Sequence, residues 1–150
     1  MKKLAKNWLG YAKRDLQAAQ QLSPAEELTG ITTFHCQQCI EKSLKALLEF
    51  HDKTIPRIHD LVTLHQQVND VEALVVDEAV LRELADAYID TRYPSSEMTA
   101  GRLSPSVAKA GEFLKLAEQT YQTISKGISE KLDAGERVQD IGNTFISGHR

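Results

Sequence analysis

The stretch from Ile31 to Phe50, ITTFHCQQCIEKSLKALLEF, constrains the fold more than any other part of the chain. Placed on a helix, Cys36, Cys39, Ile40, Ser43, Leu44, Leu47 and Phe50 recur at steps of three and four and draw one apolar-to-small face. Gln38, Glu41, Lys42, Lys45 and Glu49 form a polar stripe at the same period. The stretch holds no Pro or Gly, so helix propensity agrees with the pattern. Glu41 precedes Lys45 by four residues, the favourable order for a surface ion pair. A helix with one face to bury needs neighbours, and the rest of the chain supplies them.

Before this stretch, Leu4, Trp8, Tyr11, Ala12, Leu16, Ala19 and Leu22 mark the inward side of a first helix from about Leu4 to Leu22. Asp15 sits at its edge and reads as a partner for a nearby Lys or Arg. Ser23-Pro24 ends the helix and, with Glu26, opens a short turn. Gly30 separates that turn from the second helix.

Pro56 makes His51 to Ile58 a loop. A third helix follows, capped by Asp60 or His59, with Leu61, Leu64 and Val68 inward. Asn69 to Asp77 reads as an ordered connection. Asp77 caps a fourth helix reaching Thr91, with Val80, Leu81, Leu84, Ala87 and Tyr88 inward, and Pro94 stops it. Arg92 to Leu103 is a polar loop. Ser104-Pro105 opens a fifth helix that continues to about Lys126. Residues 127–150 read as a tail with apolar anchors at Val138, Ile141, Phe145 and Ile146. With no strand pattern and no repeat, the chain is expected to be all-α: an up-and-down bundle of four main helices plus a shorter one. At 150 residues it fits one domain, with the bundle over 1–126.

A net charge of −3 argues against a generally basic surface for coating nucleic acid, while leaving room for a local basic patch. No run is long enough to cross a bilayer. The basic N-terminus lacks the sustained apolar region and cleavage site of a signal peptide, so a cytoplasmic protein is expected.

Cys36-Gln37-Gln38-Cys39 is formally a C-x-x-C, but a redox pair needs its first sulfur at a helix N-terminus. Here both sulfurs fall on the apolar face inside a helix, where cysteine acts as a small buried hydrophobe. His35, His51, His59, His65 and His149 show no H-x-x-x-H or H-E-x-x-H spacing, so neither a metal site nor a cofactor is expected. His59-Asp60 opens the third helix near Arg57 and Lys53, as a structural cap or as an anion site. Arg92-Tyr93-Pro94 ends the fourth helix. A guanidinium beside an aromatic ring suits a phosphate and a base, and equally an ion pair to Glu41 or Asp60.

As a set, these residues resemble the HEPN family, the higher-eukaryote and prokaryote nucleotide-binding domain. The resemblance runs through Trp8, Ala12, Asp15-Leu16 and Ala19, then FHCQQCIEKSLKALL from Phe34 to Leu48. It continues with Pro56 before His59-Asp60-Leu61, then Leu64, and Tyr88 before Arg92-Tyr93-Pro94, covering about residues 4–125. It implies an all-α bundle that forms a homodimer with a polar cleft, binds a nucleotide or RNA, and pairs with a minimal nucleotidyltransferase, in some members as toxin and antitoxin. Arg92, Tyr93, His59, Asp60, Lys42 and Lys45 would line the nucleotide- or phosphate-binding cleft. The ribonuclease branch carries Arg, four to six residues, then His. Here the corresponding positions after Arg92 are Glu97, Met98 and Thr99, so that motif is missing. Two alternatives stand beside a non-catalytic binding protein. One is a metal-independent ribonuclease using His59 as general base with Arg92 on the phosphate. The other is a structural interaction module.

Overall fold

The computed structural model describes residues 2–92 and 104–147, with side chains for 2–88 and 104–135. The described residues contain five α-helices: α1 (Lys2–Leu22), α2 (Thr29–Phe50), α3 (Leu61–Asn69), α4 (Glu78–Arg92) and α5 (Val107–Ser147). A single 3-10 turn, Glu26–Leu28, leads into α2. No strand interrupts them, so the all-α bundle expected from the sequence is the fold observed.

Contacts between side chains fix the directions. Lys2 lies over the Phe50 ring, Lys45 faces Trp8, and Asp15 meets His35, so α1 runs antiparallel to α2. Phe34, near the start of α2, stacks on Tyr88, near the end of α4. Cys39 lies beside Ala117 and Phe50 beneath Lys131, so α5 runs parallel to α2. Helix α2 is therefore the axle, packed against the other four. Its Cys36, Cys39, Ile40, Leu44, Leu47 and Leu48 meet Leu9, Leu16, Leu61, Leu64, Leu84, Phe113 and Ile124 in one core.

The helix ends follow their chemistry. Asp60 caps α3, accepting from the Val62 amide at 3.3 Å, and Asp77 accepts from the Val80 amide at 3.2 Å. For α5 the cap is Ser106, whose hydroxyl accepts from the Lys109 amide at 3.0 Å, two residues beyond the expected Ser104. After α2, Asp52 takes a left-handed φ of 57°. The Asp52 amide donates to the Glu49 carbonyl and the Lys53 amide to the Leu48 carbonyl, each at 3.0 Å, forming a Schellman closure.

Four details differ from the sequence reading. Gly30 lies inside the first turn of α2, where Thr32 and Thr33 bond the carbonyls of Leu28 and Thr29. The inward stripe of α1 is Ala5, Leu9, Ala12, Leu16 and Ala19, whereas Leu4 and Tyr11 stay half-open to solvent. Helix α5 does not stop at Lys126. Its apolar spacing of four continues through Ile124, Ile128 and Leu132 against the core, which outweighs the ~1 kcal/mol helix cost of Gly127. The residues read as a tail thus begin as helix, and its expected anchors Val138, Ile141, Phe145 and Ile146 lie outside the described side chains. Finally, Glu41 and Lys45 are buried, as the next section describes.

Candidate functional site

The polar stripe of α2 divides into two clusters. In the first, the Asp15 carboxylate of α1 receives the Lys42 ammonium at 2.6 Å on one oxygen and meets His35 Nδ1 at 2.9 Å on the other. His35 and Lys42 are seven residues apart, two turns on one face, so a single carboxylate can join them. Asp15 is thus the lysine partner that its position at the stripe's edge suggested. Lys42 also stands 6.0 Å from the centre of the exposed Tyr11 ring, with the Arg14 guanidinium at 5.1 Å.

In the second cluster, Glu41 is the hub. One carboxylate oxygen takes the Lys45 ammonium at 3.3 Å, and the other meets His59 Nδ1 at 3.0 Å and the Gln37 amide at 3.2 Å. Gln37 also donates to the His59 carbonyl at 3.1 Å, and accepts from Gln38 at 2.7 Å. The Glu41 and Lys45 side chains are only 5% and 7% exposed, so theirs is a buried pair and not a surface one. Trp8 covers Lys45 at 5.7 Å, which closes the stripe at that level. The His59 side chain, by contrast, is 63% exposed. With Nδ1 on Glu41, its Nε2 is left on the open side.

Between these clusters α2 shows a narrow strip to solvent: Ile31, Phe34, His35, Gln38 and Lys42. Helical spacing places Gln38 in the middle, one turn before both Glu41 and Lys42. The strip is walled by α1 through Asp15 and Tyr11, by the start of α3 through His59, and by α4 through Tyr88.

Of the six expected site residues, Lys42 and His59 border this strip. Lys45 is buried beside them, its ammonium paired with Glu41 and facing the Trp8 ring. Asp60 is occupied with α3, accepting from Val62 and from the Thr63 hydroxyl at 2.5 Å. Arg92 ends α4 one turn beyond Tyr88, with its side chain outside the described ones. Tyr93 lies outside the described residues altogether. The sequence reading did not place Tyr11, Arg14, His35 or Gln37 at the site. The seven-residue step from His35 to Lys42 with Asp15 as a shared acid was the available signal.

Both cysteines are buried in the core, as their spacing implied. Burial is the main cause that pushes each thiol up to about 12, and nearby negative charge adds to it. Among the described residues no group of three His, Cys, Asp or Glu side chains could hold a metal ion, and no helix is long and apolar enough to cross a membrane.

Comparison with known proteins defines the class. The model of the HEPN domain matches residues 5–127, and the chain belongs to the HEPN domain family. Among solved structures, TT1696 from Thermus thermophilus superposes with a TM-score of 0.68 at 25% identity, over 81% of this chain and 96% of that one. ST0689, an archaeal HEPN homologue, gives a TM-score of 0.61 at 23% identity, over 83% and 97% respectively, a likeness of fold. The comparison with curated proteins gives no match.

Proposed function

We propose that this HEPN protein binds a phosphate-bearing ligand, a nucleotide or RNA, along the α2 strip. The observation that supports it most is the grouping of Lys42 and Arg14 around the exposed Tyr11 ring, which offers two cations and an aromatic face together. Lys42 contacts phosphate by exchanging its Asp15 partner, Tyr11 stacks on a base, and His59 donates or accepts from the far wall. Arg92 and Tyr93, at and after the end of α4, add a guanidinium and a second ring, while Asp60 holds the α3 start that carries His59. The protein works in the cytoplasm as a homodimer paired with a minimal nucleotidyltransferase in a toxin-antitoxin-like system. Calorimetric titration with ATP, GTP and a short single-stranded RNA tests the ligand. Saturable heat that drops on Lys42→Ala supports it, and no heat from any of the three removes it.

A second reading draws on the Glu41–His59 pair. A buried carboxylate on Nδ1 leaves Nε2 free as a proton acceptor, the arrangement of an oriented general base. In a ribonuclease, Nε2 would take the proton of an RNA 2′-hydroxyl as that oxygen attacks the adjacent phosphorus and the 5′-oxygen leaves, with Arg92 on the phosphate. RNA cleavage lost on both His59→Ala and Arg92→Ala favours this reading over simple binding.

A further inference from the structure

Beneath the middle of the α2 strip, Gln37 and Gln38 form an amide chain whose direction is fixed from its buried end. Gln37 is fully buried, and both hydrogens of its amide nitrogen are committed, one to a Glu41 carboxylate oxygen at 3.2 Å and one to the His59 carbonyl at 3.1 Å. Each of those partners can only accept, so the Gln37 oxygen must point the other way. There it receives a hydrogen from Gln38 Nε2 at 2.7 Å. Turning the Gln38 amide over would set oxygen against oxygen, so its polarity is fixed as well. Half-buried Gln38 therefore presents its carbonyl oxygen and one remaining N–H to the strip, and neither has a partner among the described residues. His59 is set in the same way. The Glu41 carboxylate, opposite the Lys45 ammonium, accepts from Nδ1 at 3.0 Å, so the neutral ring keeps Nε2 as an acceptor. The Gln37 amide and the His59 ring share that Glu41 oxygen, which brings the two acceptors, Gln38 Oε1 and His59 Nε2, to neighbouring places on the strip.

We propose that Gln38, with His59 beside it, reads the base of the bound nucleotide and selects one that carries an exocyclic amino group, rejecting uracil. The proposal rests on the phosphate-binding reading above and names the ligand class of that same site. Two fixed acceptors beside one N–H call for a base edge with two hydrogens to give and one acceptor next to them. Adenine and cytosine answer with both hydrogens of the amino group, and guanine with its ring N–H and its amino group. Each also has a ring nitrogen or carbonyl adjacent to take the Gln38 N–H. Uracil flanks its single N–H with two oxygens, so either way round an oxygen faces an acceptor. Hypoxanthine has no second hydrogen to give on that edge. In both cases a polar group of the site is left unpaired, which is the stronger kind of discrimination. Lys42 lies one turn along from Gln38, about 6 Å of helix axis, a separation that a single nucleotide spans between phosphate and base.

The test is calorimetric titration of AMP, CMP, GMP, UMP and IMP into the full chain at pH 8. Two comparisons hold ring size constant: CMP against UMP, and AMP or GMP against IMP, which lacks the amino group. Expected is binding of AMP, CMP and GMP about tenfold or more tighter than that of UMP and IMP, the discrimination of one well-made bidentate contact. Gln38→Leu should narrow the gap within each comparison to about twofold. Five equal affinities in the parent chain overturn the proposal and leave the phosphate reading standing, whereas heat from none of the five overturns both. IMP binding as tightly as GMP, or a gap that Gln38→Leu leaves unchanged, overturns the assignment too.

Discussion

Glu41 and His59 are joined across the packing of α2 against the start of α3, carboxylate oxygen to Nδ1 at 3.0 Å, with one partner in the core and the other open to solvent. The bond fixes which histidine nitrogen faces outward and ties the loop before α3 to the central helix. Lys45 makes the buried carboxylate tolerable, because an ionised group out of water needs an opposite charge and saturated hydrogen bonding.

From that arrangement, Glu41→Gln should destabilise the protein by about 3 kcal/mol, because the Lys45 ammonium is left buried without its carboxylate. The double change Glu41→Gln with Lys45→Met should recover most of the loss, since the methionine fits beneath Trp8 without a charge. Urea unfolding of the two variants measures both numbers, and a double variant no better than the single one contradicts the pairing.

Asp15→Asn should act on stability and binding with opposite signs. It weakens the tie between α1 and the His35–Lys42 face, at a cost of about 1–2 kcal/mol. On the proposed function it also releases the Lys42 ammonium, so a phosphate ligand should bind more tightly. Thermal melting and calorimetry on one preparation check the two effects together.

The thiols give a pH signature. An ordinary cysteine thiol titrates at 9.0, and burial holds Cys36 and Cys39 neutral up to about 12 in the folded protein. The unfolded chain therefore releases these protons first. Their contribution to stability is intact below pH 9.0 and is lost progressively as the pH climbs from there towards 12. Burial keeps both thiols protonated and covered in the fold, so at pH 8 a thiol-reactive dye should label the native protein far more slowly than the urea-unfolded chain. Equal labelling rates would contradict the burial.

Asp52 closes α2 in a left-handed conformation that glycine adopts without penalty. Asp52→Gly should therefore raise stability by up to about 1 kcal/mol, and Asp52→Val should lower it by about 1–2 kcal/mol. Melting temperatures of the two variants should fall on either side of the parent.

Much of this was legible in the residues. Asp60 and Asp77 read correctly as caps, because capping depends on a local oxygen and local amides. The cysteines read correctly as core, because their spacing put them on the apolar face. Asp15 found the lysine its position suggested. What failed was the assumption of one wet side and one dry side for α2. A helix packed against four others buries polar positions too, and Glu41 and Lys45 became an internal pair for that reason. The register of α1 slipped because Leu4 and Tyr11 look apolar, whereas the smaller Ala5, Ala12 and Ala19 let α1 approach α2 closely. The length of α5 was missed because glycine at 127 reads as a stop, while the decisive contacts of Ile128 and Leu132 are tertiary.

The central proposal is that the α2 strip between Lys42 and His59 receives a phosphate group, and the histidine ring resonances report on it directly. His35 and His59 border the strip, whereas His51 pairs with Glu72 and His65 is buried on the Leu74 carbonyl, both away from it. Titrating ATP, GTP or a short RNA into the labelled protein should move the His35 and His59 signals saturably and leave those of His51 and His65 in place. Shifts confined to His51 and His65, or none at saturating ligand, would contradict it.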